Sequence, residues 1–136
     1  MNIGIDIHGV IDKFPKEFEI LTNKWSEHGH KIHIITGQSW FPASVKVNSL
    51  NIKYDCYFSI IDFHMKYRRT KMWRDAKGGW AMEESIWDRS KGDYCKKANI
   101  DIHFDDGLNY ARDMPASCSF VLVGENFSIK NLLLDI

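Results

Sequence analysis

Two rhythms of apolar and polar residues alternate along this chain. Short apolar runs that read as β-strands cover residues 2–8, 31–37, 54–61, 100–105 and 119–124. Between the first two, residues 15–28 carry Phe18, Leu21 and Trp25 at helical spacing, and Gly29 supplies a stop signal. Shorter helices are predicted at about 42–50, where Pro42 suits a first turn, and at 91–99, 109–114 and 128–135. Alternating strand and helix units predict an α/β protein: a three-layer, Rossmann-like α/β/α fold with five parallel strands and helices on both faces. Residues 62–90 break the rhythm. They are polar, basic and rich in tryptophan, and they are too short for a second domain. They read as an insertion, or flap, after the third strand within a single domain spanning 1–136.

Composition narrows the class. At 136 residues and 44% hydrophobic content, the chain has the makeup of one soluble domain with a sizeable core. The 18 basic and 18 acidic residues give zero formal net charge, so attraction to nucleic acid must come from a local patch. No apolar run approaches the roughly 18 residues that would cross a bilayer. Met1-Asn2-Ile3 runs straight into a strand, without a signal-peptide layout. Cys56, Cys95 and Cys118 lack metal-type spacing and read as packed, reduced thiols. Together these features predict a cytoplasmic protein.

The first strand carries the strongest chemical signal. Ile3-Gly4-Ile5-Asp6-Ile7-His8-Gly9-Val10 is an apolar run that delivers one carboxylate next to a glycine turn. In an open α/β sheet, the strand ends are where ligands bind. Ile102-His103-Phe104-Asp105-Asp106-Gly107 repeats the design with an adjacent acid pair. Two strands that each end in acids predict a shared divalent-cation site, and a carboxylate placed there can also act as a nucleophile.

Four elements fall in order: Asp6-x-His8-Gly9-Val10, a strand ending in Thr36-Gly37, Lys91 at a predicted helix start, and Phe104-Asp105-Asp106. This ordered set resembles the haloacid dehalogenase-like superfamily of phosphohydrolases over nearly the whole chain, from residue 3 to about 124. The resemblance implies a Mg²⁺-dependent phosphatase in which Asp6 attacks phosphorus and forms an aspartyl-phosphate. It implies that Asp6, the His8 backbone carbonyl, Asp105 and Asp106 bind Mg²⁺. Thr36, helped by backbone N–H groups near Gly37, would bind a phosphoryl oxygen, and Lys91 would balance charge between nucleophile and phosphate. Most relatives carry aspartate two residues after the nucleophile, as proton donor to the leaving group. Here the position holds His8, whose ordinary pKa near 6.5 suits the same task. A histidine there also leaves open a phosphate- or nucleotide-binding relative with impaired catalysis.

Specificity in that superfamily comes from cap insertions, and this chain has only the stretch 62–90. Its Arg68 and Arg69, among other basic residues interleaved with Tyr67, Trp73 and Trp80, suit a nucleotide or a nucleic-acid end. Trp40, just beyond the Thr36-Gly37 turn, is a second candidate for stacking a base. The Gly9-Val10 pair also resembles the deoxyribonucleotidase branch. The expected substrate is therefore a small phosphate ester such as a nucleotide, with a polynucleotide end as the alternative. A lightly covered crevice suits a substrate that fills the opening, or a homo-oligomer whose neighbour covers it.

Overall fold

The five apolar runs pair into one all-parallel sheet in the order Cys56–Ser59, Lys31–Thr36, Asn2–Ile5, Ile102–Asp105, Ser119–Leu122. The structure is a computed structural model and describes residues 1–130. The strands are β1 (Asn2–Ile5), β2 (Lys31–Thr36), β3 (Cys56–Ser59), β6 (Ile102–Asp105) and β7 (Ser119–Leu122). A separate antiparallel hairpin joins β4 (Met72–Arg74) to β5 (Trp80–Met82). The helices are α1 (Pro15–Glu27), α2 (Trp40–Asn48), α3 (Ile60–Tyr67) and α4 (Glu84–Lys97), and a 3-10 helix covers Leu108–Asp113.

The two-residue period of the strands sorts the core into two layers. Ile3, Ile5, Ile32, Ile34 and Phe104 face α1 and α2, where Phe18, Leu21, Trp25, Ala43 and Val47 complete one cluster. Ile35 and Phe58 belong to the opposite cluster, with Ile60, Met82 and Cys95 from α3, β5 and α4. Helices therefore cover both faces, and the fold is the three-layer, Rossmann-like one. Successive strands run outward from β1 to β3, then the chain returns to the other side of β1 as β6. That reversal puts the crevice at the carboxyl ends of β1 and β6.

Several boundaries differ from the apolar pattern, each for a physical reason. Strand one ends at Ile5 rather than residue 8, and Ile7–Ile11 form a tight helical turn broken at His8 and Gly9. Ile7, Val10 and Ile11 are buried in that turn, so their apolar character imitates a longer strand. Strand three stops at Ser59 because its hydroxyl accepts the Asp62 N–H at 3.1 Å and starts α3 immediately. The stretch 62–90 is not a loose flap: it holds most of α3, the hairpin and the first half of α4. Lys91 consequently lies in the middle of α4 and not at a helix start. Ser128 to Lys130 are irregular, and the rest of the helix expected at 128–135 lies outside the described residues.

All three cysteines are free thiols, with Cys95 and Cys118 buried. No helix among the described residues is long and apolar enough to cross a membrane.

Candidate active site

Parallel strands deliver Asp6 and Asp105 to the same end of the sheet, side by side. The Asp6 N–H donates to the Phe104 carbonyl at 3.0 Å, the last rung between the two chains before they part. Gly4 and Asp6, two residues apart, face the α4 layer, as do His103 and Asp105 on the neighbouring strand. From α4, Lys91 reaches into this layer, only 1% exposed. Its Nζ lies 2.7 Å from Asp105 Oδ2 and 3.2 Å from Asp6 Oδ1. Tyr110 of the 3-10 helix supports the ammonium, which sits 4.2 Å from its ring centre.

Two glycines permit this assembly. Gly9 adopts a left-handed φ of 76°, and a Cβ built on it would come within 2.0 Å of Asp106 Oδ2. A side chain there would displace the third carboxylate. A Cβ on Gly92 would lie 2.1 Å from the Asp113 carbonyl oxygen, so α4 rests almost backbone to backbone on the end of the 3-10 helix. That close approach carries Lys91 down to the strand ends.

Asp6, Asp105 and exposed Asp106 bring carboxylate oxygens within 4.8 Å of one another. Burial pushes the Asp6 carboxyl up to about 7; Lys91 pulls against this and Asp105 adds to it. Burial raises Asp105 as well, but the hydrogen bond with His103 and the nearby Lys91 outweigh it and hold Asp105 at about 2. Lys91 itself is raised, because Asp6 and Asp105 overcome the penalty of its complete burial.

Asp105 is nearly saturated with donors. Its Oδ2 takes Lys91 Nζ at 2.7 Å and His103 Nε2 at 2.8 Å, and its Oδ1 takes the Gly107 N–H at 2.9 Å. A carboxylate offers about four lone-pair sites. Asp105 can therefore give a cation a single remaining site, on Oδ1.

These groups open into a crevice of about 340 Å³. Of the residues expected to act there, Asp6, His8, Thr36, Gly37, Lys91 and Asp106 all line it, whereas Asp105 does not: it is fully buried, bonded to Lys91. Thr36 accepts the Gln38 N–H on its Oγ1 at 3.1 Å, which leaves its hydroxyl proton for a group in the crevice. The His8 side chain is 79% exposed, and its Nδ1 lies 3.2 Å from Asp12 Oδ2. Asp12 also accepts the Gly9 N–H at 2.7 Å, so one carboxylate fixes both the turn and the imidazole. With Nδ1 committed to Asp12, Nε2 is the atom left for the crevice.

The remaining expectations meet a different geometry. Trp40 is the first residue of α2 and stacks flat on Tyr57, with centroids 4.1 Å apart, while its backbone N–H donates to Asp62. It does not line the crevice. Arg68 caps α3 in a left-handed conformation, and neither Arg68 nor Arg69 lines the crevice or the cavity beside it. The hairpin instead brings Arg74 and Trp80 to the wall of an adjoining cavity. The alternation phase of the fourth strand makes His103 a packed residue, and it is buried, but sequence reasoning missed its bond to Asp105 and the pair Trp87–Tyr110, joined by a 2.8 Å Nε1–H donation to the phenol oxygen. An alternation-phase histidine two residues before an acid was the available signal for His103. The Gly78-Gly79 turn between Met72-Trp73 and Trp80-Ala81-Met82 was the signal for the hairpin.

Compared with known proteins, the chain matches no family model, no curated protein and no solved structure. Its function must be read from the crevice itself.

Proposed function

We propose that the protein is a phosphatase of the haloacid dehalogenase-like type that hydrolyses a small phosphate monoester through an aspartyl-phosphate on Asp6. The observation that carries this reading is the Asp6 carboxylate at a strand end, 3.2 Å from buried Lys91 and clustered with Asp105 and Asp106. A nucleophile, a fixed cation and two further acids in one open crevice form the charge pattern that phosphoryl transfer needs.

The donor set fits a divalent cation. Asp6 and Asp105 share one buried ammonium and Asp106 lies beside them, so three carboxylates meet a single fixed positive charge, and Asp105 keeps one free lone-pair site. Oxygen-only donors favour Mg²⁺ over softer metals. Asp6, Asp105, Asp106 and the His8 backbone carbonyl would hold the ion, which supplies charge neutralisation for the phosphoryl oxygens.

This chain's residues then divide the work. One Asp6 oxygen forms a bond to phosphorus as the bond to the ester oxygen breaks. His8 Nε2 gives a proton to that leaving oxygen, with Asp12 holding the ring from Nδ1. Thr36 donates to a phosphoryl oxygen, and Lys91 opposes the effect of burial on Asp6, favouring its anionic, attacking form. In the second half, neutral His8 takes a proton from water as the water oxygen attacks phosphorus. Inorganic phosphate leaves and the Asp6 carboxylate is restored.

A panel of phosphate esters assayed for phosphate release in Mg²⁺ tests the reading, with Asp6→Asn as control. Turnover by the wild type that vanishes in a folded Asp6→Asn protein is expected. Wild-type inertness toward every ester, or unchanged turnover in Asp6→Asn, would overturn it.

A further inference from the structure

A second cavity, of about 420 Å³, lies between the start of α2 and the β4–β5 hairpin. Gln38 and Ile61 line both it and the acid crevice, so the two spaces share a wall. Their charges are opposite. The crevice presents acids around one buried ammonium, whereas among the described residues the charged ones lining the second cavity are Lys46 and Arg74. Pro42, Ala43 and Ile61 add apolar surface, which limits how much water competes for those cations.

Arg74 is set for recognition rather than left loose. Its guanidinium lies 3.9 Å from the Trp80 ring centre, and Nη1 donates to the Gly78 carbonyl at 2.9 Å. Stacking and one hydrogen bond fix the plane and leave its other N–H donors for a ligand. Lys46 is 55% exposed and makes only a 3.4 Å contact with Asp12, an exchangeable partner. A fixed fork plus a half-exposed ammonium, with no acid among the described residues lining the same walls, is a receptor for a multiply charged oxyanion.

We propose that the substrate carries a second phosphate, bound by Arg74 and Lys46 in this cavity while its scissile phosphate sits at Asp6. This deepens the phosphatase reading and rests on it for the position of the first phosphate. The substrate class is a small bisphosphate, such as a nucleoside or sugar phosphorylated at two positions. A polynucleotide end offers the same chemistry through its neighbouring phosphodiester.

The test uses matched pairs that differ only in the second phosphate: a nucleoside 5′-monophosphate against the 3′,5′-bisphosphate, and a hexose 6-phosphate against the 1,6-bisphosphate. A dinucleotide with a terminal phosphate forms the third arm and separates the polynucleotide source from the small-molecule one. The wild type should favour at least one doubly charged ligand by about 10–100-fold in kcat/KM, the usual strength of charge-assisted hydrogen bonds. Arg74→Ala should shrink that ratio to about threefold or less, and Lys46→Gln should lower it independently. Calorimetric binding of the same pairs to Asp6→Asn protein in Mg²⁺ should show the same preference without turnover. Hydrolysis of monophosphates with no preference in any arm, or a preference that survives both substitutions, would overturn the second site and leave the phosphatase reading standing. Arg74-dependent binding of a bisphosphate that no variant hydrolyses would do the reverse.

Discussion

The acid crevice and the hairpin cavity share a wall but are built on opposite terms. In the crevice, charge is buried and bonded: Lys91 and Asp105 are almost fully enclosed, and Asp105 spends three of its acceptor sites on protein donors. In the hairpin cavity, Arg74 is exposed and Lys46 is more than half exposed. Groups held on parallel strands by several bonds suit chemistry, where small displacements are costly. Groups on a short hairpin suit selection among ligands, where contacts far from the reacting atom tune binding. The difference predicts that substitutions in the two regions fail in different ways.

The largest effect should come from the nucleophile. Asp6→Asn is expected to lower phosphate release by on the order of 10⁴-fold or more, since an amide cannot attack phosphorus. Circular dichroism should show an intact fold beside that loss. Chelation should act on the same region: activity should stop on metal removal and return with Mg²⁺, and Asp105→Ala should lose both activity and its Mg²⁺ dependence. Measurable turnover in metal-free buffer would break the assignment of the acid cluster.

His8→Ala should reduce turnover of esters with poor leaving groups by about 10²–10⁴-fold, the ordinary contribution of a positioned acid or base. Aryl phosphates, whose leaving groups scarcely need a proton, should lose less in the first step. Equal activity on all esters would reduce His8 to a structural part of the turn. His8→Asp should remain active.

Lys91→Met probes the crevice through stability. Removing one partner of a buried ion pair costs about 3–5 kcal/mol, because the remaining charges lose their compensation. Denaturant unfolding should show that loss in metal-free buffer and recover part of it in Mg²⁺, which supplies positive charge to the same acids. The smallest effect belongs to Arg68 and Arg69. Charge reversal at both should change kcat/KM by about threefold or less, as expected of exposed surface charge, whereas Arg74→Glu should lower it on a bisphosphate by tenfold or more. A large loss from Arg68 and Arg69 would mean that the substrate runs along α3 instead.

How much of this could be read from the sequence follows the same division. The placement of Asp6, Thr36 and Asp105 at the strand ends was legible because each follows an apolar run, even though Ile7 and Val10 blurred the exact end of the first strand, and the parallel order follows from alternation. Helix α4 was not legible across its first half. Its buried residues are Asp88, Ser90, Lys91, Gly92 and Cys95, so the inward face carries function in place of an apolar stripe. That concealment made Glu84 to Ser90 look like loop and put Lys91 at a helix start. Trp40 failed for the converse reason. An aromatic beside a turn looks available for stacking, but Tyr57 occupies its face, and only the three-dimensional register of α2 over β3 reveals that.

Gly92 has one more consequence. The contact between α4 and the Asp113 carbonyl acts as a spacer of zero thickness beneath the ammonium. Any side chain at this position is a shim: it lifts the helix, and with it Lys91, away from two carboxylates while every chemical group stays in place. The reach of the cation is thus governed by a residue that has no functional atoms, and the position of the ammonium could be shifted in graded steps from a point outside the crevice.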